Sequence, residues 1–171
     1  MQRSIQNDRN QRRGIVLPFA ALMLSATMAF VAFSVDWGYI VLTDSELQTA
    51  ADSSALAAAR ALPTDRVAAL AAAQIWAAKN RAAKSPVTLV TGEDIEIGEW
   101  NEATATFTVL PATSMTLPNA VKVTCRRVGA RGTGLKLFFA ATFGTKSTDL
   151  KATAIARLKA ESSGLKAVLV Q

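Results

Sequence analysis

The longest unbroken pattern in the chain is apolar. "GIVLPFAALMLSATMAFVAFSV", from Gly14 to Val35, contains no charged residue. As a helix it would extend about 33 Å, close to the hydrocarbon thickness of a bilayer. Pro18 stands near its start, where a missing N–H does least harm. Beyond Val35 the apolar run gives way to a mixed one, and only Gly38 interrupts a helical reading before Pro63. Leu47, Ala51, Ser54, Ala58 and Ala61 recur at spacings of three and four, the helical period. A single helix from Gly14 to Leu62 would be about 73 Å long. "PTDR" then restarts a second helix, with Thr64 as N-cap, from about Asp65 to Ala83. Val67, Leu70, Ala71, Gln74 and Ile75 form its denser face.

At "KSPVTLV" the composition shifts to Thr, Val, Gly and Pro, and the period becomes two. "EDIEIGEW" alternates Ile95 and Ile97 with acids, "NEAT" makes a turn, and "ATFTVL" returns as the second strand of a hairpin. Gly98 is expected to mark a bulge. "AVKVTCRRV" puts Val121, Val123 and Cys125 on one face and Lys122, Thr124 and Arg126 on the other. "GLKLFFAATFG" reads as a short buried helix closed by Gly144. "DLKATAIARLKA" alternates as a further strand, "ESSG" resembles a linker, and "LKAVLVQ" is a last short strand or the start of a further region. The fold class is therefore α+β: a transmembrane helix that continues outward, a second Ala-rich helix, then a small antiparallel sheet of about four strands. The expected divisions are a basic segment at 1–13, a membrane span at 14–35, Ala-rich helices at 36–84, a sheet domain at 85–163 and a tail at 164–171.

Charge orients the span. Arg3, Arg9, Arg12 and Arg13 precede it against Asp8 alone. After it come Asp36, Asp44, Glu46 and Asp52 before the first cation, Arg60. The positive-inside rule places the N-terminus in the cytoplasm and the remainder outside, in a single pass. Arg12, Arg13 and Gly14 mark the inner boundary, and Trp37 and Tyr39 suit an aromatic belt at the outer one. A cleaved signal is the rival reading, since "QRRGIVLPF" begins like a twin-arginine signal. The apolar run is longer than the usual h-region of about 7–15 residues, and "AFVAFS" has Phe where cleavage wants a small residue.

The net charge of +6 does not carry a nucleic-acid reading. The cations cluster at the N-terminus and again at Lys122, Arg126, Arg127, Arg131 and Lys136, with no base-reading motif beside either cluster. With no histidine and one cysteine, Cys125, the chain lacks the usual zinc ligands and has no histidine for acid–base or triad chemistry. Cys125 is expected in the core of a strand. The acids Glu93, Asp94, Glu96, Glu99 and Glu102 read as a solvated face of the hairpin. "DSSAL" fails the D-x-S-x-S metal pattern at Leu56, and "GARGTG" lacks the Lys-Ser/Thr ending of a P-loop, leaving a flexible loop. No catalytic, cofactor or metal residue is assigned, and no enzyme is expected.

An Arg pair, Gly, an apolar span and then "VDWGYIVLTDSELQTAADSSALAAARAL" resembles the N-terminal module of the TadE/TadG-like family, encoded with bacterial tight-adherence (Flp, type IVb) pilus machinery. The corresponding residues are Val35, Asp36, Gly38, Leu47, Gln48, Ala50, Ala51, Asp52, Ala55, Leu56 and Ala57 to Ala59. "IGEW", "PNAVKVTCRR" and "FFAATFG" are similar to the extracytoplasmic part of TadG-like chains. The resemblance implies an inner-membrane, minor-pilin-like assembly protein without a cofactor. Its partners would be the membrane and other pilus subunits or further copies of itself, not nucleic acid. Asp36, Leu47, Ala51, Asp52, Ala55 and Ala58 are the expected packing seam. Prepilin-type processing sites place Glu at the fifth position after the Gly, where this chain has Phe19, so the resemblance is closer to TadG-like chains. The von Willebrand A domain of larger TadG-like proteins is not present in these residues.

Overall fold

A computed structural model describes residues 5–161 and 164–170. Helix α1 (Ile5–Ala61) runs without a break through Pro18 and Gly38. Because the chain is already helical at Ile5, Pro18 lies in the helix interior rather than in its first turn. α2 (Arg66–Lys79) follows, and then the strands β1 (Arg81–Ala82), β2 (Ser85–Pro86), β3 (Ile95–Asn101), β4 (Thr106–Val109), β5 (Ala120–Arg127), β6 (Leu135–Lys136), β7 (Ser147–Thr148), β8 (Leu150–Glu161) and β9 (Gly164–Val170). The chain separates into two compact units, Met1–Tyr39 with Leu137–Lys146, and Ile40–Lys136 with Ser147–Gln171. The class is α+β, as the change of period predicts.

In the larger unit, β4-β3-β5-β8-β9 form one antiparallel sheet in that order. The fifth strand is the segment expected as a tail: β9 pairs back along β8, from Glu161↔Gly164 to Ile155↔Val170. Ser162, Ser163 and Gln171 lie outside the described residues. Gly98 is not at a bulge, because its register with Val109 and Ala120 is unbroken. It is needed for another reason, since a Cβ there would lie 2.1 Å from the Thr108 carbonyl oxygen.

The core forms between one face of the sheet and the two helices. Leu47, Ala50, Ala51, Ala55, Ala58 and Ala59 of α1 join Ala69, Ala73 and Ala77 of α2. Ile95, Ile97, Val121, Val123, Cys125, Ala152, Ala154 and Ala156 come from the sheet. α2 thus buries its smallest residues; of the predicted face Leu70 packs against the core, whereas Val67 and Ile75 are exposed. Alanines permit the close helix approach that larger side chains on that stripe would prevent.

Three local expectations are also corrected. Asp65, not Thr64, occupies the N-cap of α2, and it makes no side-chain cap bond. α2 stops at Lys79 because Ala83 and Lys84, both at positive φ, turn a tight hairpin between β1 and β2. Tertiary bonds hold this turn: Glu46 Oε2 accepts the Ala83 N–H at 2.8 Å, and Arg127 donates to the carbonyls of Ala82 and Ser85 at 2.6 and 2.7 Å. "GLKLFFAATFG" is no buried helix. It divides into β6 and a 3₁₀ turn at Ala140–Phe143, closed by Gly144 in the left-handed region, and Phe138 and Phe139 are exposed.

Candidate functional site

From Val16 to Val31 every side chain of α1 is exposed, and the large apolar ones lie on all sides of the helix. Among the described residues this is the one helix long and apolar enough to cross a membrane. Its hydroxyls are already satisfied. Ser25, Thr27 and Ser34 each donate to the carbonyl four residues earlier, on Ala21, Met23 and Phe30, at 2.8–2.9 Å. Such back-bonding removes the cost of placing a hydroxyl in hydrocarbon. Arg12, Arg13 and Gly14 lie on the same helix, but their side-chain surroundings are outside what is described.

Immediately after this stretch, Asp36 is buried. Its carboxylate accepts three successive backbone N–H groups, from Phe138 at 2.8 Å, Phe139 at 3.0 Å and Ala140 at 2.7 Å. Burial pushes this carboxyl up, but the N–H groups of Ala140, Phe138 and Phe139 together outweigh burial and hold it below its ordinary value. Tyr39 sits beside Phe138, with ring centroids 5.3 Å apart, and Trp37 stacks on Phe33 at 6.2 Å while staying exposed. Asp36, Trp37 and Tyr39, singled out in the sequence, thus stand together where the apolar stretch ends. Their partner loop, about a hundred residues later, leaves no trace in local pattern.

The expected packing seam is distributed differently. Leu47, Ala51, Ala55 and Ala58 are fully buried within the chain's own core. Asp52 is half-buried and takes a hydrogen bond from Gln48 at 2.8 Å. The small-residue stripe of α1 is therefore filled by the chain itself.

The acids of the β3 approach are not a simple solvated face. The Asp94 side chain is fully buried. Its Oδ2 accepts Arg131 at 2.6 Å and the Val90 N–H at 2.9 Å, and Arg126 Nε lies 2.9 Å from Oδ1. Glu93 also pairs with Arg131. "GARGTG" is accordingly not a flexible loop: a 3₁₀ turn at Gly129–Arg131 delivers Arg131 to this cluster. The second basic group is largely consumed inside the fold, since Lys122 pairs with Glu96 at 2.6 Å and Arg127 is spent on the hairpin carbonyls. Among the described residues no group of His, Cys, Asp and Glu is placed to hold a metal ion. Cys125 is buried as expected, and burial, with Asp94 and Asp52 nearby, pushes its thiol up to about 12.

Comparison with known families agrees with the resemblance in the sequence. A family model described as Flp pilus-assembly TadE/G-like matches residues 14–61. A second, described as Tad-like Flp pilus-assembly, matches residues 53–156 and so covers more than half of the chain. That second match suits the TadG-like leaning. No curated protein and no solved structure matches the chain.

Proposed function

Since the chain belongs to the Tad-like Flp pilus-assembly family, we propose that it is a membrane-anchored, minor-pilin-like structural component of the pilus apparatus. The observation that carries this reading is the uncharged stretch of α1, exposed on every side and with its hydroxyls bonded internally. In water that surface would be costly, whereas in hydrocarbon it is at home. The flanking charge sets the N-terminus in the cytoplasm and the sheet outside. The role is non-catalytic and rests on packing. With the α1 stripe used internally, contacts with other pilus components fall to surfaces that remain open, such as the exposed Val67, Ile75 and Trp76 of α2.

Carbonate extraction of membranes tests the anchor. The full chain is expected in the pellet, and its complete release would overturn the reading. N-terminal sequencing of the mature protein separates an anchor from a cleaved signal, because a start near Ser34 would make the remainder a secreted module. Alkaline phosphatase fused after Gln171 is expected to be active, and an inactive but stable fusion would reverse the orientation.

A further inference from the structure

The loop Leu137–Lys146 belongs to the same compact unit as the apolar half of α1. We infer that this loop is a second membrane element, one that lies in the outer lipid interface beside the helix and does not cross the bilayer. The inference rests on the anchored reading above and adds a lipid contact to it.

Four observations point the same way. The first is position: Asp36 directly follows the apolar stretch, and it holds the loop by the Phe138, Phe139 and Ala140 N–H groups. If the helix crosses the bilayer, those bonds fix the loop at the depth where the hydrocarbon ends. The second is surface. Phe138 is 61% and Phe139 44% exposed, and two adjacent exposed phenylalanines gain free energy when their rings leave water. Phe138 packs on Tyr39 and Phe33 stacks on Trp37, so two aromatic pairs stand near the end of the apolar stretch, the composition that membrane interfaces favour.

The third observation concerns the backbone. Irregular chain enters lipid only if its polar groups are satisfied. Here Asp36 takes three consecutive donors, and the Thr142, Gly144 and Thr145 N–H groups bond to Phe139, Ala141 and Ala140 within the turn. The fourth is charge. The loop itself holds one cation, Lys146, and no acid, and the one carboxylate against it, Asp36, is covered by three N–H groups, which leaves the loop compatible with an anionic headgroup layer.

The test uses the full chain reconstituted in phosphatidylcholine/phosphatidylglycerol vesicles, with an environment-sensitive fluorophore attached at Thr142→Cys or, as a reference inside the span, at Met23→Cys. Cys125 is buried and stays unlabelled. The label at 142 is expected to emit to the blue of its value in water, to resist iodide, and to be quenched by lipids with a spin label just below the headgroup. Combining it with Phe138→Ser and Phe139→Ser should abolish the blue shift at 142 and leave the label at 23 unchanged. A water-like, iodide-quenched label at 142 with a protected label at 23 overturns the loop proposal and leaves the anchor standing. Water-like labels at both sites overturn the anchor, and the loop proposal with it. A label at 142 that resists iodide without being quenched by the spin-labelled lipid is sheltered by protein, for example a second copy, and that also overturns lipid contact.

Discussion

Asp36 shows how one side chain can join two segments remote in sequence. A carboxylate that accepts three backbone donors is stabilised in its charged form, so its folded value lies below the ordinary one. The sign of the linkage follows. The clasp contributes stability above the ordinary carboxylate range and loses it as pH falls through the depressed folded value. Protection factors for the Phe138, Phe139 and Ala140 amides, corrected for intrinsic exchange, should hold from neutrality down through pH 5 and fall only in stronger acid. Asp36→Ala should remove that protection at neutral pH while leaving the β5–β8 amides protected. Cys125 gives a second prediction at this scale. Raised to about 12 by burial and by Asp94 and Asp52, the thiol carries almost no thiolate at pH 8, and thiolate is the reactive form. It should resist iodoacetamide in the folded protein and react at an ordinary rate in urea; rapid alkylation of the native chain would contradict its placement in the core.

At the scale of elements, the physics that defeated the sequence reading is specific. Alanine-rich "AAKNRAAKSP" favours a helix locally, yet α2 ends at Lys79 because Glu46 and Arg127, on distant elements, reward the hairpin instead. Both central residues of that turn, Ala83 and Lys84, have positive φ without being glycine. Such a turn prefers Asn-Gly. Lys84→Gly should therefore raise stability by about 1 kcal/mol, seen as a higher thermal midpoint in detergent micelles; a lower midpoint would mean that the lysine is held by contacts worth more than the strain. The strands were legible because Ile95, Ile97, Val121, Val123 and Cys125 alternate with polar residues, and the register follows from that alternation. The buried face of α2 was not legible. Hydrophobicity ranks Val67 and Ile75 above alanine, whereas close packing selects Ala69, Ala73 and Ala77 for their size.

On the proposed anchored reading, the whole molecule faces two solvents. A spanning helix meets lipid on every side, and the apolar part of α1 is exposed on every side. Past Asp36 the same helix acquires a stripe, Thr43, Leu47, Ala50, Ala51, Ser54, Ala55, Ala58 and Ala59, because from there it faces a protein core on one side only. That change was visible in sequence; the use of the stripe for the chain's own core, rather than for another subunit, was not, since a small-residue face serves either purpose. The Asp94 cluster ties the sheet unit together across long separations, joining the entry to β3, the end of β5 and the turn that carries Arg131. Asp94→Asn keeps an oxygen for the Val90 N–H but leaves Arg126 and Arg131 without their shared anion. Fully buried pairs lose about 3–5 kcal/mol when broken in this way. Arg126 and Arg131 are 34% and 25% exposed at their side chains, and water can take over part of their solvation, so a loss of about 2 kcal/mol is expected. Chemical denaturation in micelles should show it as a lower midpoint with an unchanged slope. Amide exchange should show opening that begins at Gly129–Arg131 and Val90, while the Phe138–Ala140 amides keep the protection that Asp36 provides. A midpoint equal to that of the unsubstituted chain would make the cluster a surface ornament rather than a tie.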